Sequence, residues 1–342
     1  MTVSASTAHL SMLRMVSGFG LAHAIYIAAE LGLADLLRRE PARSEDLARI
    51  TGVHAPSLDR VLRALAGARI CVRVGQGCYS LTPLGETLRS DVPDSLRAWV
   101  RVVLGEECCT AWSHLMQSVR TGEIAFNTVF GTDVWTYRAA HPSMAAVFDE
   151  AMGKLANLYD KAVLSSYSFA QFRKVIDVGG GNGSFLIALL EAHEGLAGVL
   201  FDLPHVAEKA RHNLEKAGCG TRCTVVAGDA FSGIPEGGDA YVLSRVIHDW
   251  DDDRAIAILR NCRRAMTPDA KLVLIERVLP EGSSDAPAAQ EAFISDLQMM
   301  AMNGGRERTA REYEMLFQRS GFALARVVPT GSVVDVVEGA RA

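Results

Sequence analysis

Apolar positions change their period once along this 342-residue chain, near residue 168. From His9 to about Tyr167 they recur mostly at helical spacing, as in Leu21, Ile25, Ala28, Ala29 and Leu33 on one face of an early amphipathic segment. Residues 44 to 82 predict a small winged helix. Ser44 caps a helix with Leu47 and Ile50 that Gly52 ends, and Ser57 caps a second with Leu58, Val61, Leu62 and Leu65. Two short strands, Ile70 to Val74 and Cys78 to Leu81, join through Gly75-Gln76-Gly77. From Lys174 onward strand and helix alternate, with strands expected at 174 to 178, 197 to 201, 223 to 227, 239 to 245, 271 to 277, 322 to 328 and 332 to 338. This pattern predicts an α/β fold, a doubly wound parallel sheet. The expected division is a helical, winged-helix-like domain over 9–167 and a Rossmann-like domain over 168–342.

Within the second part, KVIDVGGGNGSFLIALL at 174 to 190 reads as a buried strand, a glycine turn and a helix start. Glycine at 179, 180, 181 and 183 permits positive φ and close approach of backbone N–H groups to a ligand at the positive end of the new helix. Such a turn serves a nicotinamide, a flavin or a methyl donor, so the residues downstream must discriminate. Asp202 ends the next strand, where a carboxylate can accept both hydroxyls of a ribose in either cofactor class. The third strand ends in Gly228-Asp229-Ala230-Phe231, an acid and an aromatic where an adenine would lie, and a dehydrogenase does not need this station. His248 follows the fourth strand within DAYVLSRVIHDWDDD, at the sheet edge where open α/β folds bind ligands.

A net charge of −5 gives no electrostatic reason to bind nucleic acid or an anionic membrane. The winged helix has only a slight excess of arginine between Asp35 and Arg73, so packing or dimerisation is its expected role. The longest apolar stretches read as short and interrupted by charge, and MTVSASTAHLSMLRM lacks the basic start of a secretory signal, which predicts a cytoplasmic protein. Seven cysteines without CxxC spacing predict reduced thiols and no metal site. Asp249, Asp251, Asp252 and Asp253 are expected to be solvent-facing acids at a helix start rather than metal ligands.

Together with KLVLIERVLP at 271 to 280 and DLQMMAMNGGRERTAREYEMLFQRSGF at 296 to 322, these stations resemble the S-adenosylmethionine-dependent O-methyltransferases of the plant caffeate and bacterial natural-product type. The resemblance spans nearly the whole chain. It implies a sheet with a reversed final strand, a homodimer whose N-terminal domain also closes the substrate pocket, and S-adenosylhomocysteine as product. Gly179, Gly180 and Gly181 would receive the methionine end of the cofactor with Asp177 near its ammonium. Asp202, with Leu203 beside it, would hold the ribose, and Asp229, Ala230 and Phe231 the adenine. Ser244 stands where plant members often carry a cofactor-touching lysine, a departure that Ser244 or Arg245 would have to make good. Met152, Met299 and Asn303 match pocket positions for a planar aromatic acceptor.

Methyl transfer from sulfonium to oxygen requires alignment of three atoms and removal of one proton. Neutral His248 is the expected general base for the acceptor hydroxyl. Glu276 and Glu307 match the family's two acids flanking that histidine, where a carboxylate on the second ring nitrogen would fix the tautomer. N- or C-methylation of a small aromatic acceptor is the alternative with the same cofactor, and a DNA-binding regulator is the distant one.

Overall fold

The computed structural model describes residues 5–282 and 287–342. The chain forms two compact units that interleave in sequence, 1–109 with 142–155 and 110–141 with 156–342. The expected boundary between 167 and 168 therefore differs from the observed division, because 110–141 and the end of the helix Pro142–Ser166 pack with the C-terminal unit.

In the first unit, helices Ser44–Thr51 and Ala55–Gly67 precede the antiparallel pair Cys71–Gly75 and Cys78–Leu81, to which Ala42–Arg43 adds a third short strand. Leu47, Leu58, Leu62, Leu65 and Tyr79 fill the core beneath them. Ser44 and Ser57 lie inside the first turns of their helices rather than at the cap, the second helix starting earlier at Ala55-Pro56 because proline suits a first helical turn. One helix among the described residues, Thr7–Glu30, is long and apolar enough to cross a membrane by length and composition, which revises the reading of the apolar stretches as short. Leu10, Met12, Leu13, Met15, Val16 and Phe19 on it are all exposed.

The second unit is built on a seven-stranded sheet. Its strands are β1 (Lys174–Val178), β2 (Ala197–Asp202), β3 (Cys223–Ala227), β4 (Ala240–Ser244), β5 (Lys271–Glu276), β6 (Phe322–Pro329) and β7 (Asp335–Arg341). The order across the sheet is β6-β7-β5-β4-β1-β2-β3, parallel except that β7 runs against both neighbours. Alternate residues bury on opposite faces, as a sheet covered on both sides requires. Ile176, Val178, Tyr241, Leu243, Leu272 and Leu274 meet the helices Asp252–Ala265 and Ala310–Ser320 on one face. Val175, Leu200, Val242, Val273 and Ile275 meet Phe185, Leu189, Leu190, Val163 and Phe169 on the other. The chain reverses direction of travel across the sheet at β1, so the C-terminal ends of β1, β2 and β4 open onto one crevice.

Candidate active site

The turn after β1 brings backbone rather than side chains to the crevice. Gly179 has φ +71°, and a Cβ there would lie 2.7 Å from Val246 Cγ2, so neither conformation nor space allows another residue. Gly181, at φ +57°, faces open space, and its N–H donates to Asp202 Oδ2 at 2.8 Å. Asp202 Oδ1 accepts the N–H of Leu203 at 2.7 Å, which fixes the carboxylate at the end of β2. Asp229 is fixed in the same way, its Oδ1 accepting the Phe231 N–H at 2.9 Å. Phe231 packs edge-on against Trp250 with centroids 5.0 Å apart, and Arg254 lies over both rings. Ala230 contributes its carbonyl to the amide of Asn261 at 2.6 Å.

Asp177, inside β1, is 1% exposed and neither of its carboxylate oxygens has a hydrogen-bond partner among the described residues. Burial, with the nearby acids Asp160 and Asp202 adding to it and Arg245 opposing, pushes its pKa up to about 8. An orphaned buried carboxylate is costly and asks for a cationic partner, which the ammonium of S-adenosylmethionine supplies chemically. The fixed carboxylates at the ends of β2 and β3 likewise suit hydroxyl and amino donors, so the residues present fit this cofactor. Ser244 Oγ is also buried without a partner among the described residues. Arg245 follows at φ 56°, left-handed backbone that is unusual for a non-glycine residue and concentrates at functional sites.

A short 3-10 turn, Ile247–Asp249, then presents His248. Its Nδ1 lies 3.2 Å from Glu307 Oε1 and 3.8 Å from Glu276 Oε2, and its Nε2 lies 3.7 Å from Asp249 Oδ1. Glu276, at the end of β5, works mainly on the backbone: its Oε1 accepts the N–H groups of Val246 at 3.1 Å and Ile247 at 2.7 Å. Glu307 is held by the Ser295 hydroxyl at 2.7 Å on the oxygen that faces the imidazole. Burial disfavours imidazolium, but Glu307, Glu276 and Asp249 outweigh it and raise the His248 pKa to about 10. Burial lifts Glu276 to about 7, with Glu307 adding and His248 opposing. For Glu307 burial acts upward too, yet the imidazole and Ser295 bring it below the ordinary glutamate range. These carboxylates therefore favour the protonated ring, whereas the base in the proposed chemistry is the neutral one.

Asp249 departs from the expectation of a solvent-facing helix start. It is drawn into the site beside His248, and burial raises its pKa. Asp251 does cap the helix, accepting from the Arg254 N–H at 2.9 Å, and Asp252 and Asp253 occupy its first turn. The Asn303 amide donates to Asp249 Oδ1 at 2.8 Å and stands 3.8 Å from Met299 Sδ, so Asn303 reaches the histidine through Asp249. Met152 lies in the first unit, packed against the cluster of Ala98, Val102 and Ala151.

Sequence reasoning missed Arg308. It is fully buried and donates to the carbonyls of Ile247 at 3.1 Å and Trp250 at 2.9 Å and to Asp252 Oδ1 at 2.8 Å. These bonds fasten both ends of the His248 turn, and the Arg306 N–H to His248 O bond at 2.8 Å fastens its middle. A Cβ at Gly305 would collide with that same carbonyl, which explains the glycine in GGRERT.

Comparison with known proteins places this site in a family. Residues 112–323 match the O-methyltransferase domain and residues 13–91 the O-methyltransferase dimerisation domain. Phenazine O-methyltransferase PhzM of Lysobacter antibioticus is 44% identical over 330 residues, which cover 96% of this chain and 94% of that protein. Phenazine-1-carboxylate N-methyltransferase of Pseudomonas aeruginosa is 33% identical, covering 97% of each. The crystal structure of LaPhzM superposes with a TM-score of 0.93 at 43% identity, covering 98% of this chain and 99% of that one. The O-methyltransferase NcsB1 from neocarzinostatin biosynthesis, solved with S-adenosylmethionine and 2-hydroxy-5-methyl naphthoic acid, gives 0.81 at 35% identity over 94% and 96%. The chain belongs to the S-adenosylmethionine-dependent O-methyltransferase family. It is a methyltransferase of secondary-metabolite biosynthesis that uses S-adenosylmethionine.

Proposed function

We propose that this enzyme methylates a hydroxyl of a small, planar aromatic acceptor, with His248 as the general base. The observation that carries this reading is His248 Nδ1 at 3.2 Å from Glu307, on the turn that follows β4. S-adenosylmethionine supplies an electrophilic methyl group on a sulfonium. Gly179, Gly180 and Gly181 seat its methionine end with Asp177 on the ammonium, Asp202 and Leu203 hold its ribose, and Asp229, Ala230 and Phe231 position its adenine. Ser244 or Arg245 takes the contact that a lysine makes in plant members.

With Nδ1–H donated to Glu307, the neutral tautomer leaves the Nε2 lone pair to accept the acceptor's proton. Glu307 and Glu276 then stabilise the imidazolium so formed. A phenol titrates near 10, above an ordinary histidine, and the carboxylates that raise the basicity of His248 suit it to take that proton. A base of this strength favours oxygen as the nucleophile, since an aromatic amine attacks while already neutral. Met299 and Asn303 line the acceptor's pocket, the thioether adapting to a flat ring. N-methylation remains the second reading because a relative carries that activity in its name.

The active form is a homodimer. The exposed side chains Leu10 to Phe19 form an apolar surface that overlaps the dimerisation-domain match, and a second copy of the chain is its fitting cover. Methyl-labelled cofactor incubated with hydroxylated phenazines and naphthoates tests the reaction. The expected product carries the label on oxygen, as seen by its carbon shift and fragmentation, and label on nitrogen or carbon overturns the proposal.

A further inference from the structure

Two buried acids feel the charge of the same arginine, Arg245, where the proposed reading assigns only one. Asp160, on the helix Pro142–Ser166, is 4% exposed, and its Oδ2 has no hydrogen-bond partner among the described residues. Asp177 is buried, neither of its carboxylate oxygens has a hydrogen-bond partner among the described residues, and the charge of Asp160 acts on it. Arg245 faces both acids electrostatically, and its guanidinium lies 5.6 Å from the ring centroid of Tyr159, the residue next to Asp160. The other titratable groups in the field of Asp177 are Asp202 from β2 and the Cys223 thiol from β3.

We infer that Asp160 is a cofactor-binding residue: with Asp177 it forms an acid pair that holds the ammonium of the cofactor's amino-acid end, while Arg245 takes the carboxylate of that same end. This deepens the cofactor reading above and rests on it. The chemistry is that of a zwitterion. Two acids and one guanidinium present both signs to a ligand whose ammonium and carboxylate are one carbon apart, and the pairing leaves no buried acid without a donor. Left-handed backbone at Arg245 carries a conformational cost that a ligand-reading guanidinium accounts for.

Burial holds Asp160 at about 7, with Arg245 opposing, and Asp177 at about 8. Pairing with the ammonium favours the ionised carboxyls, so proton release to the buffer is expected as the ligand binds.

The test is calorimetric titration of the full-length enzyme with S-adenosylhomocysteine and with 5′-methylthioadenosine, which lacks the amino-acid end, between pH 6 and 9 in buffers of different ionisation heat. Wild type is expected to release protons with the first ligand and none with the second. Asp160→Asn, isosteric with the protonated acid, is expected to weaken S-adenosylhomocysteine about tenfold or more, as loss of a charge-assisted bond predicts. It should also reduce the protons released and leave 5′-methylthioadenosine unchanged. Should that variant not fold, Asp160→Glu gives the same discrimination between the two ligands. Unchanged binding of S-adenosylhomocysteine, or an equal loss for both ligands, overturns the role of Asp160. If wild type binds neither ligand, the cofactor reading itself has failed.

Discussion

The Nδ1 atom of His248 lies 3.2 Å from Glu307 Oε1, inside a buried set of carboxylates that keeps the imidazole protonated until about pH 10. The charge pairing stabilises the fold fully below the ordinary histidine value of 6.5, and that contribution fades as pH rises toward 10. Catalysis runs the other way, because the base must be neutral. The rate of methyl transfer is expected to climb through pH 7 to 9 with a slope near one on a logarithmic plot. Glu307→Gln removes the nearest negative charge, so the rising limb should move to lower pH while the maximal rate falls. A pH series of single-turnover rates, with imidazole titration by nitrogen NMR, checks both, and a limb that stays in place in the variant contradicts the assignment.

Glu276 has a different task from Glu307. Because its Oε1 accepts two backbone N–H groups of the turn before His248, Glu276→Ala leaves both donors buried and unpaired, at about 1–3 kcal/mol each. Glu276→Gln keeps a carbonyl acceptor and should retain most of that stability. Urea denaturation of the two variants separates backbone support from charge, and equal losses would show that the acceptor geometry is not what matters.

Arg308 ties Ile247, Trp250 and Asp252 together from a buried position. Arg308→Ala should cost about 3–5 kcal/mol, the range for opening a buried charge network. Arg308→Lys should recover little, since a single ammonium cannot span the carbonyls that a planar guanidinium reaches. Thermal and chemical denaturation report the loss, and a lysine variant as stable as wild type would count against the bracing role.

Much of this was readable in the chain because it follows from period and order. The run from Val175 to Val178, the glycines after it, and acids at the ends of the next two strands all reflect local requirements of a covered parallel strand and its turn. Arg308 gave no such signal, because an arginine in GGRERT looks like surface charge until tertiary packing buries it. Asp249 was misread for a related reason: four acids in HDWDDD share one composition, but only those after Trp250 belong to the helix start. Asp160 sits in a helical stretch whose period says nothing of the strand ends it meets. The domain boundary was obscured because the helix Pro142–Ser166 serves both units without a break in pattern.

Met12, Met15 and Phe19 are exposed on the first helix, on the surface that the proposed second copy would cover. Phe19→Asp combined with Met15→Asp should turn the dimer into a monomer in sedimentation velocity runs. A variant that stays dimeric, or a wild type that is monomeric and partitions onto lipid vesicles, would remove the proposed interface.

The most direct measurement is a quenched-flow single turnover of wild type and His248→Ala with methyl-labelled cofactor and a hydroxylated phenazine, alongside S-adenosylhomocysteine affinity for both. The prediction is an O-methyl product, a chemical step slowed about a hundredfold or more in the variant, as loss of a general base requires, and retained affinity for S-adenosylhomocysteine. An unchanged chemical step in His248→Ala would contradict the account.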